Sequence, residues 1–133
     1  MSFTEYHGKT AEVNAPAGQV FNYLADMQNF GQLMPKSVYD WQADKDSCSF
    51  SIRSLGELKI SYEKKEMPTL LVCKTRYRGD DYRLVANIKA TSGTHSEVIF
   101  SFNGDMNLVT RMLAQQPIHT LLNSLAELLE KQF

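Results

Sequence analysis

The feature that most constrains the fold is a long segment of helical periodicity at the end of the chain. Residues 105–132 read as one helix whose pattern is interrupted only at Pro117, and the segments before it alternate apolar and polar residues as strands do. A single helix of this length must bury its apolar face, and the strands before it supply a sheet for that purpose. The sequence therefore predicts a long helix lying across a curved sheet, with a cavity between the two layers.

Length and charge limit the classes of protein to which the chain can belong. Its 133 residues suffice for one domain with a substantial core but not for two, so we expect a single domain over 1–133. A net charge of −1 supplies no electrostatic attraction toward nucleic acid, so we predict no nucleic-acid partner. The N-terminus has no leader pattern, and no apolar stretch approaches the roughly 20 residues of a membrane span. These features predict a cytoplasmic protein without stable membrane insertion.

The usual local motifs of metal, nucleotide and serine-hydrolase chemistry are missing from the sequence. It contains no HExxH, no paired Cys or His at metal-binding spacing, no GxSxG and no glycine-rich phosphate loop. We therefore predict neither a metal nor a cofactor. Cys48 and Cys73 each fall within a strand pattern, which favours reduced core residues over a disulfide between neighbouring strands.

Alternation of apolar and polar residues predicts seven strands, at 2–13, 38–42, 47–53, 57–63, 70–77, 82–91 and 98–102. Gly8 is expected to form a bulge in the first of them. Two short helices are predicted over 16–31, between the first and second strands, with Asp26 as the cap of the second helix. Because short turns join the later strands, the sheet is predicted to be antiparallel and the fold class to be α+β.

The order of these elements, together with two stretches of sequence, resembles the START-like (SRPBCC, Bet v 1-like) superfamily. Residues 13–30, VNAPAGQVFNYLADMQNF, are similar to its N-terminal signature, with Pro35 downstream. Residues 107–129, with Pro117 in mid-helix and a Leu-rich second half, are similar to its terminal helix. The resemblance implies the helix-grip fold, in which a seven-stranded antiparallel sheet wraps around a long C-terminal helix and two short helices lie between strands 1 and 2.

By resemblance, proteins of this kind hold lipids, polyketides, sterols or plant hormones between the sheet and the long helix. Some members are cyclases, dehydratases or aromatases, and others act through protein partners. The matched residues are packing residues that seat the helices, so they indicate the fold and not one of these activities. We expect a protein that binds a small hydrophobic or amphipathic ligand of lipid-like or polyketide-like character.

Ten residues are predicted to bind the ligand because they fall on inward strand faces or on the terminal helix around Pro117: Tyr62, Cys73, Tyr77, Leu84, Phe100, Leu108, Arg111, Met112, Gln116 and His119. The hydroxyls of Tyr62 and Tyr77 need a hydrogen-bond partner, which a ligand, the backbone or water can supply. Met112 offers adaptable lining. Arg111 can pair with a ligand carboxylate, and His119 is the best-placed histidine although the sequence shows no acid–base partner for it.

Three functional hypotheses follow from these residues. The first is ligand binding without chemistry, in which shape and apolar burial supply most of the affinity. The second is a cyclase, dehydratase or aromatase that uses His119, Arg111 or Tyr62, and an ionisable pair inside the cavity would favour it. The third is a module that acts through a protein partner, and a collapsed cavity together with a large exposed apolar patch would favour that hypothesis.

Pro117 divides the terminal helix into two arms that are expected to differ in mobility. Proline removes a backbone donor, and the residues after it form a continuous apolar face that predicts a core anchor over 118–129. Residues 106–116 intersperse polar side chains and are predicted to form a looser lid. Hydrogen exchange should therefore protect the amides of the second arm more strongly than those of the first, and equal protection of the two arms would contradict the lid.

Overall fold

A computed structural model describes residues 2–133 and shows a single antiparallel sheet with helices on one face. The strands are β1 (Ser2–His7), β2 (Ala11–Val13), β3 (Val38–Ala43), β4 (Ser47–Ile52), β5 (Gly56–Glu66), β6 (Leu70–Tyr77), β7 (Asp80–Ala90) and β8 (Ser96–Met106). The helices are α1 (Ala17–Leu24), a 3-10 helix (Met27–Leu33) and α2 (Leu108–Glu130). The strands lie in the order β1-β8-β7-β6-β5-β4-β3, with β2 also paired to β8. The predicted helix-grip α+β fold is confirmed.

The predicted first strand is interrupted at Gly8, so the structure contains eight strands where seven were predicted. β1 and β2 both pair with β8, and between them the Gly8 N–H donates to the carbonyl of Phe100 at 2.9 Å. A Cβ at Gly8 would lie 2.9 Å from the Cβ of Leu122 and 3.0 Å from its carbonyl oxygen. The long helix therefore approaches the sheet at a position where only glycine leaves room for it.

The terminal helix begins three residues later than the sequence predicts. Asp105 and Met106 belong to β8, because they pair with Phe3 and Ser2 at the start of β1. Asn107 then caps α2, and its side-chain oxygen accepts a hydrogen bond from the Thr110 N–H at 2.8 Å. Strand pairing at the sheet edge thus takes precedence over the helical pattern of these residues.

The two short helices are held by a cap and by hydrogen bonds from the sheet. Asp26 caps the 3-10 helix and accepts from the Gln28 N–H at 3.0 Å, which is the structural role predicted for it. The Tyr62 hydroxyl, on β5, donates to the carbonyl of Leu24 at the end of α1. These contacts fix the helix pair over the same sheet face that α2 covers.

Most of the core is formed by the inner face of the sheet and the second arm of α2. Leu58, Leu71 and Phe100 on the inner face of the sheet are at most 1% exposed. The buried residues of the second arm are Ile118, Leu121, Leu122, Leu125, Ala126 and Leu129. Ala114 is the sole buried residue of α2 before Pro117. The helix is therefore clamped at its C-terminal end and loosely seated at its start.

Cys48 and Cys73 are buried free thiols. They lie on β4 and β6, with β5 between them. Two strand spacings amount to about 9.6 Å, which exceeds the reach of a disulfide. Burial raises the pKa of each thiol to about 12, so both remain protonated core residues at neutral pH, as the sequence predicts.

The approach of α2 to Gly8 is tested by adding one methyl group. Gly8→Ala should lower the free energy of unfolding by about 1–3 kcal/mol, because the helix must shift to accept a Cβ at that point. Gly93→Ala is the matched control, since a Cβ there would meet no atom within 4 Å. Urea unfolding of both variants measures the difference, and equal stabilities would contradict the close approach.

Candidate functional site

A narrow apolar cavity of about 10 Å³ lies between the inner face of the sheet and the start of α2. It is found where the β4–β5 connection, the β6–β7 hairpin and the end of β8 converge. Its lining residues are Leu55, Leu58, Tyr77, Tyr82, Phe102, Met106, Thr110, Ala114 and Ile118. This volume is about the space of one water molecule. The cavity predicted between the sheet and the long helix is therefore almost completely filled in this structure.

The polar groups of this lining are hydroxyls. Tyr77 donates to the carbonyl of Leu55 at 2.8 Å, and the ring of Tyr82 stacks on Phe102 with centroids 5.6 Å apart. Burial, followed by the nearby charge of Asp80, raises the pKa of the Tyr82 phenol, which stays neutral. The lining contributes neither a carboxylate nor an imidazole. No carboxylate–imidazole pair therefore faces the cavity.

The orientation of the first arm of α2 follows from the way in which the second arm packs. Thr110 and Ala114 precede the buried Ile118 at intervals of four residues, so they lie on the same helix face and meet the cavity. Because their side chains are small, the arm can approach the sheet closely and leave almost no space.

The larger apolar residues of the first arm point into solvent. They form an exposed strip whose members are Leu108, Val109, Met112 and Leu113. Met112 is 72% exposed and Leu108 is 63% exposed. Adjacent apolar residues at such exposure are unusual on the free surface of a soluble protein. The first arm thus presents its large apolar residues to solvent and its small residues to the sheet.

Two buried side-chain atoms within residues 2–133 have no hydrogen-bond partner, Thr75 Oγ1 and Arg111 Nε. Thr75 is fully buried on the inner face of β6, directly opposite Tyr82 of β7. Arg111 lies two helical turns before Ile118, so its side chain leaves the same inward side of α2. Tyr6 donates to the Arg111 carbonyl at 3.4 Å. Unpartnered buried donors of this kind require a water or a ligand.

The ten residues predicted to bind a ligand occupy three different environments. Tyr77 lines the cavity. Tyr62, Cys73, Leu84 and Phe100 lie on the inner face of the sheet outside the cavity lining.

The five predicted residues on α2 are split between surface and interior. Leu108, Met112 and Gln116 are exposed. Arg111 and His119 lie beside Tyr6 of β1, with the His119 ring in an edge-to-face contact at 5.1 Å between centroids. The structure therefore does not bring these residues together around one cavity, and their role in binding stays a prediction.

Eight lining residues were not among the predicted ligand-binding residues: Leu55, Leu58, Tyr82, Phe102, Met106, Thr110, Ala114 and Ile118. Thr110 and Ala114 could have been found by stepping back in fours from Ile118, the first residue of the Leu-rich arm. The inward faces of β5 to β8, which supply most of the other lining residues, could be identified from the alternation in the sequence. This alternation does not indicate which end of the sheet the first arm of α2 crosses.

The described residues contain no group of three or more His, Cys, Asp or Glu side chains placed to hold a metal ion. None of the helices formed by residues 2–133 has both the length and the apolar character needed to cross a membrane.

Solved structures share this architecture over nearly the whole chain. The solution structure of KanY protein has a TM-score of 0.76 and 13% identity, and the match covers 99% of this chain and 98% of that one. Truncated norcoclaurine synthase from Thalictrum flavum has a TM-score of 0.73 and 12% identity over 98% of this chain and 93% of the other. A START superfamily protein from Mycobacterium smegmatis has a TM-score of 0.66 and 14% identity over 98% and 95%.

These similarities show that the chain has the START-like, Bet v 1-like fold. At such low identity they are evidence for the fold alone. No protein-family model matches the chain, and no curated protein matches its sequence.

The unpartnered Arg111 predicts a gain in stability when it is replaced by an apolar residue of similar length. Arg111→Met should raise the free energy of unfolding by about 1 kcal/mol, because it removes a buried donor without a partner. Arg53→Met, at an exposed position, is the matched control and should change stability little. Thermal and urea unfolding compare the two, and a loss of stability in Arg111→Met would show that the guanidinium is already satisfied.

Proposed function

We propose that residues 1–133 act as a single START-like domain that binds a small hydrophobic or amphipathic ligand. The ligand would lie between the inner face of the sheet and the first arm of α2. The observation that carries this proposal is the asymmetry of α2, whose first arm buries Ala114 alone and covers an apolar cavity. The free thiols of Cys48 and Cys73 suit the reducing cytoplasm that the sequence predicts.

Binding requires the first arm to move away from the sheet. Pro117 has no N–H, so the carbonyl of Leu113 receives no helical hydrogen bond from it. A bend at this point therefore breaks fewer hydrogen bonds than a bend elsewhere in the helix. The arm also loses little buried apolar area when it opens, since most of its large side chains are already in solvent. An apolar ligand then recovers burial against the exposed inner face at about 25 cal/mol per Å².

The polar groups around the cavity favour an amphipathic ligand with an anionic end. Arg111 presents a buried Nε without a partner, and Thr75 presents an unpartnered hydroxyl on the sheet beneath. A ligand carboxylate that reaches Arg111 would form a charge-assisted hydrogen bond and satisfy the orphaned donor. The apolar tail would meanwhile replace the first arm against Phe102 and Met106.

The proposal is tested by filling the cavity from the helix side. Ala114→Trp places a large side chain in the cavity, and Gln115→Trp adds the same group to the exposed face of the same turn. Dodecanoate and dodecanol serve as probes, and native mass spectrometry and calorimetry follow their binding. We expect the wild type and Gln115→Trp to bind dodecanoate equally, and Ala114→Trp to bind at least about tenfold more weakly, because the site is occupied.

Controls keep this experiment interpretable. Circular dichroism reports whether Ala114→Trp is folded, and Ala114→Leu provides a milder filling if it is not. Dodecanol should bind more weakly than dodecanoate if Arg111 holds the anionic end. Equal binding by the two tryptophan variants would overturn the proposed site, and so would the absence of binding by the wild type.

A second candidate function is a module that acts through a protein partner. Two observations favour it: the nearly filled cavity and the exposed strip on the first arm. These are the features that distinguish the partner hypothesis from ligand binding. The variant Leu108→Ser with Met112→Ser removes apolar surface from the strip without entering the cavity. If this variant loses cross-linked complexes in host extract while Ala114→Trp retains them, the partner hypothesis is favoured over the ligand hypothesis.

A further inference from the structure

The outer face of the sheet, opposite the face covered by α2, carries a polar groove of about 550 Å³. Three cationic side chains line it, Lys59, Lys74 and Arg76. One border of the groove is formed by the end of β3 and the turn after it. A β-bulge in the pairing of β3 with β4 lies next to this border, and such bulges increase the local twist of a sheet.

The strand register arranges the groove in two rows across β4, β5 and β6. In the first row Ser49 lies opposite Lys59, and Lys59 lies opposite Arg76. In the second row Ser47 lies opposite Ser61, which lies opposite Lys74. Short hydroxyl side chains thus form the floor, and the three long cations stand together on one side of it.

This placement of charge is unfavourable for the sheet itself. Lys59 lies directly opposite Arg76. Lys74 lies directly opposite Arg83, whose guanidinium is paired with the Glu63 carboxylate at 2.7 Å. Like charges in facing cross-strand positions destabilise an antiparallel pair. The arrangement is therefore not explained by the stability of the fold.

Nearby carboxylates compensate these cations only in part. Asp81 lies 3.1 Å from Arg76 and 4.0 Å from Lys74, so one carboxylate serves two cations. Within residues 2–133 Lys59 forms no ion pair, as no carboxylate oxygen lies within 4.0 Å of it. Asp44 also lines the groove, but its carboxylate accepts from the backbone N–H groups of Asp46 and Ser47 at 2.8 Å each.

We propose that this groove binds the phosphate group of a phosphorylated ligand. Lys59, Lys74 and Arg76 supply positive charge, and the hydroxyls of Ser49 and Ser61 are donors to the remaining oxygens. The ligand is a soluble phosphate ester or a lipid headgroup, since both present the same oxyanion. The groove lies on the opposite side of the sheet from the apolar cavity, so this proposal stands independently of the proposed ligand cavity.

The site is tested in the intact chain by titration with inorganic phosphate and with pyrophosphate. Amide chemical shifts monitor binding. Lys59→Gln and Arg76→Gln remove one charge each from the groove. Lys89→Gln is the matched control, because Lys89 is an exposed residue on the outer face of β7 and lies outside the groove. We expect shifts over β4, β5 and β6, at least about tenfold weaker binding in each groove variant, and unchanged binding in the control.

Stability supplies a second readout that a merely structural role would not produce. Lys59→Gln relieves the repulsion with Arg76 and should raise the melting temperature by about 1–2 °C while it weakens phosphate binding. Phosphatidylcholine vesicles with and without phosphatidic acid distinguish the two ligand sources. A protein that recognises a lipid headgroup binds the vesicles that contain phosphatidic acid, and a protein that recognises a soluble ester does not. Shifts that are absent, or that weaken equally in Lys89→Gln, would overturn the proposal.

Discussion

The packing of the second arm of α2 on the inner face of the sheet is the interaction on which the rest of the structure depends. Leu121, Leu122, Leu125, Leu129 and Ile118 are almost fully buried. At Gly8 the helix comes so close that a Cβ would meet the backbone of Leu122. Close packing of this kind leaves one orientation of the helix about its own axis. In this structure α2 is continuous across Pro117, so the orientation set after Pro117 also sets which residues before it face the sheet.

That orientation explains the unusual first arm. It turns the small residues Thr110 and Ala114 toward the cavity and places Arg111 on the inward side, where its Nε has no partner. The larger apolar residues, including Leu108 and Met112, are left in solvent. A segment optimised for stability alone would have the opposite distribution. Local departures from optimal packing are typical of elements that move or bind.

The two faces of the sheet offer different chemistry. The inner face is apolar, with hydroxyls from Tyr77, Tyr82 and Thr75 near the cavity. The outer face gathers Lys59 and Arg76 in a row where they repel each other. Side chains alternate along a strand, so a single register places the apolar residues and the tyrosine hydroxyls on the inner face and the cations on the outer face. The same strands can therefore serve an apolar ligand and an anionic group without interference between the two.

Most of the fold was determined by the sequence itself. Strand alternation, the cap at Asp26 and the Leu-rich arm after Pro117 are local patterns, and local patterns specify secondary structure and inward faces directly. The start of α2 was missed because Asp105 and Met106 pair with β1, which is a contact between the two ends of the chain. Tertiary structure alone determined the position and the lining of the cavity. The packing of the second arm sets which end of the sheet the first arm crosses and which of its residues face inward. Periodicity within the arm favours Leu108 and Met112 as inward residues. Because α2 continues unbroken into the buried leucines, Thr110 and Ala114 face inward instead.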